Sequence, residues 1–372
     1  GRCMQIQART VRTRGQLSGT WSPLCALLVL TSVSSATPPP EQFYVDVRDY
    51  LPKGHVTDGS VDYREHIQKC FDGNLSVFFP GSDDPDKPMI YGSTAGLKTR
   101  PYSRIRFGPN AILRRVPSFG ELLNAYPGTH LVGVVIDGNK YAHWPLVKDK
   151  EGKSVGAALA MRGRHLVKDC FVYNNAGIAY GLHWYLSDCK LYRCRAENLG
   201  FLEALGDPIW QNELASGDGF LFQRTASYNI VKDSEAIDCT RWGFVITEGV
   251  RNSMLVDCRG GDVHVQTYGF IDVESAGPGN SLVRCRSPNS RMIIQQGFQE
   301  VTGCTTSQLV AEHAEYPQSG PRHLIWTPSQ LGQKLPGPVD CRKLECRIDW
   351  PARRSIPSSR REGCRSPSSC PC

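Results

Sequence analysis

Between residues 42 and 310, short runs of β-branched and aromatic residues alternate with turns rich in Gly, Asn and Asp, and no long stretch keeps a helical period. One exception is "DYREHIQKCFD", residues 62–72, where Tyr63, Ile67, Cys70 and Phe71 recur at spacings near three and four. It predicts a helix, with Ser60 or Asp62 at its start. The β-runs themselves recur. Cysteines preceded by Asp, Arg or Gly stand at 170, 189, 239, 258, 285 and 304, with gaps of 19, 50, 19, 27 and 19. Most are followed by a second β-run: "GIAYGLHW", "GFVITEG", "YGFIDVES", "RMIIQQG". The run "GDGFLFQRT", residues 217–225, sits inside the gap of 50, as an extra turn with a long insertion would.

A repeat of about 20 residues made of short strands and tight turns predicts an all-β solenoid, a single-stranded parallel β-helix of roughly ten coils. One coil cannot bury its apolar side alone, and stacked neighbours make a continuous core with equivalent positions about 4.8 Å apart. The repeat cysteines are then rungs of an interior ladder, small and apolar enough for the inside of a coil. Fifteen cysteines also raise the alternative of disulfides. Stacked residues one rung apart have parallel Cβ vectors, which disfavours the disulfide dihedral, so the repeat cysteines are expected to be thiols.

Composition changes the picture mainly at the ends. The net charge is +7, but residues 1–36 hold four Arg and no acid, and residues 341–372 hold eight basic residues and three acids. The body keeps 31 basic against 33 acidic residues. A nucleic-acid groove needs clustered cations on the folded part, so nucleic acid is not an expected partner. Arg9, Arg12 and Arg14 precede the apolar run "PLCALLVLTSV", and small residues end at Ala36. That is the pattern of a secretory signal over 1–36, too short to span a bilayer stably. The expected layout is a signal peptide (1–36), a β-helix domain (42–310), an irregular connection (311–340) and a low-complexity Arg/Ser/Pro/Cys tail (341–372) with no strand period. The expected localisation is secreted or extracytoplasmic. Oligomeric state is not legible.

The most specific motif lies at the start of the domain, "VDVRDYLPKGHVTDGSVDYREHIQKCFD" followed by "LSVFFPGS". It resembles the opening segment of the pectate-lyase-like superfamily, closest to its rhamnogalacturonase- and epimerase-type right-handed β-helices. The counterparts are Val47-Arg48-Asp49-Tyr50, Gly54, Thr57-Asp58, the helix with Ile67-Gln68, and Phe78-Phe79-Pro80-Gly81. Leu51-Pro52, His55 and Gly59 depart from the family pattern. The resemblance implies a right-handed coil with a short N-terminal capping helix. It also implies an extracellular polysaccharide, uronic-acid-containing in several branches, as partner. Lyases, hydrolases, epimerases and plain binders share that fold, so the motif carries over no catalytic residue.

Candidate chemistry comes from aligning the second β-runs on their Gly-Phe pairs. "GFLFQR" ends at Arg224, "GFVITE" at Glu248 and "GFIDVE" at Glu274, which predicts a column one rung apart. Two carboxyls roughly 5 Å apart suit the nucleophile and acid/base pair of a retaining glycosidase, and their mutual repulsion raises one pKa as general acid work requires. Arg224 could instead hold a uronate carboxylate, as in a lyase. The competing account is a solvated Arg–Glu face. Asp272 falls in the register of the inward Phe222 and Ile246, which demands a bulge or a hydrogen-bonded buried carboxylate. Asp218 either shapes the turn in "SGDGF" or faces the groove. His183, Trp184 and Tyr185 offer a sugar-stacking platform with a base beside it, and His264 a further base, against an ordinary packing role for all four. No nucleotide, flavin or zinc motif is present, and no cofactor is expected; calcium enters only by analogy with some pectate lyases. The function expected is a polysaccharide-active enzyme, a glycosidase or uronate lyase, with a non-catalytic glycan binder as the alternative.

Overall fold

The computed structural model describes residues 43–143, 155–182, 188–201, 217–261, 268–272, 276–277, 279–294, 298–311 and 339–340. The chain forms two units, Gly1–Phe43 and Tyr44–Cys372, and the fold below belongs to the second. Three columns of short parallel strands wind around one core. The first sheet has ten strands, from Val45–Asp46 through Leu166–Lys168 and Ile230–Lys232 to Phe298–Thr302. The second runs from Met89–Ser93 through Phe171–Tyr173, Arg195–Leu199 and Glu235–Cys239 to Arg259–Gly260. The third runs from Leu97–Lys98 through Tyr180–Leu182, Phe220–Phe222 and Trp242–Ile246 to Tyr268–Asp272. The second and third merge where the long strand Arg286–Ile294 pairs with Arg259 of one and Phe270 of the other. This is the right-handed parallel β-helix that the repeat and the opening motif predict. Val339–Asp340 returns antiparallel against Thr305–Thr306.

The helix forms at Arg64–Gly73 and buries Ile67, Cys70 and Phe71 over the first coils. Asp62 holds its start. Its Oδ1 accepts the Arg64 and Thr94 N–H groups, both at 3.0 Å, which ties the helix to a neighbouring turn.

The corner from first to second sheet explains why the cysteines follow Asp, Arg or Gly. Gly133, Asp169, Arg193, Asp233, Asp257, Arg284 and Gly303 stack there, all left-handed with φ between 50° and 66°. Gly and Asp adopt that conformation at little cost. Exposed pairs at 2.6 Å, Arg193 with Asp169 and Arg284 with Asp257, link the arginines to their neighbours. The next residue of each coil points inward: Val134, Cys170, Cys194, Ser234, Cys258, Cys285 and Cys304. Each of these cysteines has its thiol within reach of two carbonyl acceptors, one two residues back on its own coil and one on the rung below, the latter from 3.3 Å (Cys285 to Leu255) to 3.8 Å (Cys170 to Leu131). All described cysteines are free thiols and buried. The ladder differs from the expected one in membership. Cys194 and Ser234 belong to it, while Cys189 lies before the first sheet and Cys239 pairs beside Leu199 in the second. The commonest coil is 24 residues, as from Asp169 to Arg193 and from Asp233 to Asp257, with the last coil shortened to 19. Of the three gaps of 19, those from Cys170 to Cys189 and from Cys239 to Cys258 mix different corners, while that from Cys285 to Cys304 is a genuine short coil.

The repeated Gly-Phe pairs have a steric origin. Tyr180, Phe220, Phe244 and Phe270 form an interior stack with centroids 4.5, 4.6 and 4.9 Å apart and planes within 7°. The rings fill the coil, so the facing second-sheet positions are Ala196, Ala236 and Gly260. A Cβ on Gly219 would lie 2.4 Å from the Gly243 carbonyl, and one on Gly243 would lie 2.7 Å from that of Gly269.

The corner before the first sheet is polar inside. Ser103, Thr129, His165, Cys189, Asn229, Ser253 and Asn280 stack there. Asn229 donates to the Ala226 carbonyl at 2.8 Å and accepts the Cys189 N–H at 3.1 Å. Asn280 does the same with Gly277 and Ser253. His165 is the misfit. Its ring lies against the Thr129 and Arg162 backbone, yet neither ring nitrogen makes a well-formed hydrogen bond. Burial pushes it down to about 4 from 6.5. As pH falls below 6.5 the unfolded chain takes up the proton first, so stability is full above about 6.5 and declines toward pH 4. His165→Asn should supply the bonds Asn229 makes, raise stability by about 1 kcal/mol at pH 7 and remove this residue's share of the acid loss. Thermal denaturation at neutral and mildly acidic pH checks both; no gain at either pH would show that the ring is better packed than its bonding suggests.

Candidate functional site

The structure brings the described sequence candidates to one side, the third sheet and its two rims. Its outward strip is Leu221, Val245 and Ile293, buried because Trp242 and Ile178 pack against it. One rim is a clamp. Asp218, fully buried, receives Arg241 through both carboxylate oxygens, with Nε to Oδ1 at 2.8 Å. The Arg241 guanidinium lies 3.9 Å from the Trp242 ring centroid. Asp218 sits in this ion pair just before the third-sheet strand Phe220–Phe222.

The opposite rim carries Arg224 and Glu248. They occupy successive coils, since Phe222 pairs with Ile246 and the Thr225 N–H donates to the Glu248 carbonyl at 2.8 Å. Both are left-handed, with φ of 55° and 47°, because the strands end at Phe222 and Ile246. The sixth position of these two runs is thus a turn residue rather than part of an alternating strand, which corrects the expected geometry. The side chains are about half exposed, with Arg224 Nε 3.8 Å from Glu248 Oε2. The backbone of Asp272 does pair with Ile246, in the register of Phe222, as expected. Glu274, His183, Trp184, Tyr185 and His264 lie outside the described residues.

Sequence reasoning passed over the outer face of the second sheet. There Arg114, Asp137, Tyr173 and Glu197 occupy successive rungs, and Val135, Phe171, Arg195, Glu235 and Arg259 run beside them. Phe171 and Tyr173 stack on one another, centroids 5.0 Å apart and planes 25° apart. The signal was the outward alternation in "FVYN", which the thiol ladder overshadowed.

Among the described residues no three His, Cys, Asp or Glu side chains gather as a metal site needs, and no helix is long and apolar enough to cross a membrane.

The fold is that of the pectate-lyase-like right-handed parallel β-helix proteins. A mutant tailspike protein of E. coli bacteriophage HK620 in complex with a pentasaccharide is similar over 74% of this chain and 51% of its own, at 12% identity and a TM-score of 0.50. This chain thus spans about half of that tailspike. The mannuronan C-5 epimerase AlgE4 A-module of Azotobacter vinelandii matches over 72% of this chain and 76% of its own, at 13% identity and a TM-score of 0.40. The polygalacturonase of Erwinia carotovora matches over 70% and 82%, at 9% and 0.41. No family model and no curated protein matches the sequence. At these identities the likeness is one of fold.

Proposed function

We propose that this protein acts on an extracytoplasmic polysaccharide laid along the outside of its coils, beside the third sheet. The observation that carries the reading is the pair of charged rims, Asp218–Arg241–Trp242 on one side and Arg224–Glu248 on the other, flanking an apolar strip. The partly exposed Trp242 ring suits the C–H faces of sugars, the buried strip supports it from below, and the rims supply hydroxyl or carboxylate contacts. The pentasaccharide bound to the fold-related tailspike supports a sugar as the partner class.

Cleavage of a glycosidic bond is the finer reading, with Glu248 and Glu274 proposed as the acid pair, Asp272 and His183 as further candidate acid or base groups, and Arg224 holding a uronate if the polymer carries one. Trp184, Tyr185 and His264 are its proposed sugar contacts. The full chain should be incubated with neutral and uronic-acid polysaccharides, following reducing ends and the ultraviolet absorbance of unsaturated products. Reducing ends without absorbance, falling at least about 100-fold in Glu248→Gln or Glu274→Gln, are the expected result for a hydrolase. Absorbance would instead identify a lyase and move the chemistry to Arg224 and the histidines. A second reading, a glycan binder, is favoured because both described carboxylates are already ion-paired, Asp218 with Arg241 and Glu248 with Arg224. Binding without any product establishes it.

A further inference from the structure

The second sheet's outer face is separate from the third-sheet rims and holds a feature no step above uses. Phe171 and Tyr173 project outward, half-buried at their bases, from a strand whose inward residue is the buried Val172. Arg195, one rung on from Phe171, places its guanidinium carbon 5.4 Å from the Phe171 centroid. Asp137 and Glu197 flank Tyr173 on the rungs before and after. Each acid is matched by an arginine of the same face. Arg114 Nε lies 2.9 Å from Asp137, and Arg195 Nη2 lies 2.8 Å from Glu197. Further along, Arg259 faces Glu235 at 4.0 Å.

We propose that this face is a second carbohydrate-binding site, in which Phe171 and Tyr173 take the C–H face of an uncharged pyranose and the flanking Arg–carboxylate pairs hydrogen-bond its hydroxyls. Two features select the ligand. Adjacent aromatic rings offer stacking area, which suits a ring with an apolar face. The charges are balanced pair by pair, so donors and acceptors are both present without net positive potential. A hydroxyl needs both, whereas a uronate or sulfate needs surplus cations. Tyr173 keeps its hydroxyl as a donor at every ordinary pH, because burial, with Asp137 adding to it, pushes it up to about 12. The site rests on the polysaccharide reading only for how such a sugar reaches it. Its geometry stands independently of the third-sheet rims.

The test uses the full chain on a panel of neutral hexasaccharides (cello-, xylo-, malto- and manno-series) beside hexagalacturonate, with affinity read by calorimetry at low and high salt. The expected result is binding of a neutral probe that changes little with salt and weakens about tenfold in Phe171→Ala and in Tyr173→Ala, the loss of one good stacking contact. Phe171→Leu, which keeps apolar volume but not the aromatic face, should weaken binding in the same direction while leaving the melting temperature close to that of the parent. Three outcomes overturn the site: neutral binding indifferent to these variants, binding of hexagalacturonate alone with loss at high salt, or no binding of any neutral probe. The third-sheet reading is judged separately, by polymer turnover or binding in Glu248→Gln, so failure of one is distinguishable from failure of the other.

Discussion

Phe244→Ala is expected to destabilise the coil by about 4 kcal/mol, the upper range for a buried aromatic truncated to alanine. Phe244 is fully buried and sits between Phe220 at 4.6 Å and Phe270 at 4.9 Å. Its removal leaves a cavity that the neighbours cannot fill, because Gly243, Gly219 and Ala236 are already in close backbone contact with adjacent rungs. A coil touches mainly its two neighbours, so the loss should be local before it is global. Hydrogen exchange should show the Phe220 and Phe270 rungs losing protection first, with the N-terminal coils around Phe79 and Phe107 retained. Phe244→Leu should cost about 1 to 2 kcal/mol, since most of the apolar volume stays. A cost below about 1 kcal/mol for the alanine variant in urea denaturation would mean that the stack carries little of the core's stability.

Asp218→Asn is the second large effect. Asp218 is fully buried and its Arg241 partner's side chain is only 15% exposed, so the substitution leaves a cation with little water and a weaker acceptor. Breaking such a pair costs about 3 kcal/mol or more. Replacing both, as Asp218→Asn with Arg241→Met, should recover part of the loss, because neither residue is then left as an unpaired buried charge. The same variants separate two roles. Loss of stability with turnover per folded molecule unchanged makes Asp218 a turn support. Loss of turnover in molecules that remain folded makes it part of the sugar site.

The part of the site legible in sequence was the part tied to strand register. Aligning the Gly-Phe pairs placed Phe222, Ile246 and Asp272 in one column, and they are. Arg224 and Glu248 fall one coil apart as that alignment required, but their left-handed turn and half-exposed ion pair were not legible, because the end of a strand depends on which rung below offers a partner. The thiol ladder shows the same limit. The dipeptide of a left-handed residue and a cysteine was visible, yet Cys189 and Cys239 share the look of that dipeptide and occupy other corners. Only the winding of the chain separates them. Arg241 went unnoticed since it is 23 residues from Asp218, one coil away.

The sequence by itself determined the class of fold. Alternating short β-runs, tight turns and a recurring Cys-led pattern point to stacked coils as the way to bury every apolar side, and the Gly-Phe repeat already encodes a ring stack whose backbone neighbours must lack side chains. Tertiary structure alone decided which outward faces can meet a ligand. Leu221 and Val245 point out of the coil and are nevertheless buried, while Phe171 and Tyr173, no more conspicuous in the sequence, stay partly exposed between paired charges. Exposure on a solenoid depends on what each coil's neighbours and turns lay across it, and residues one rung apart in space are a full coil apart along the chain.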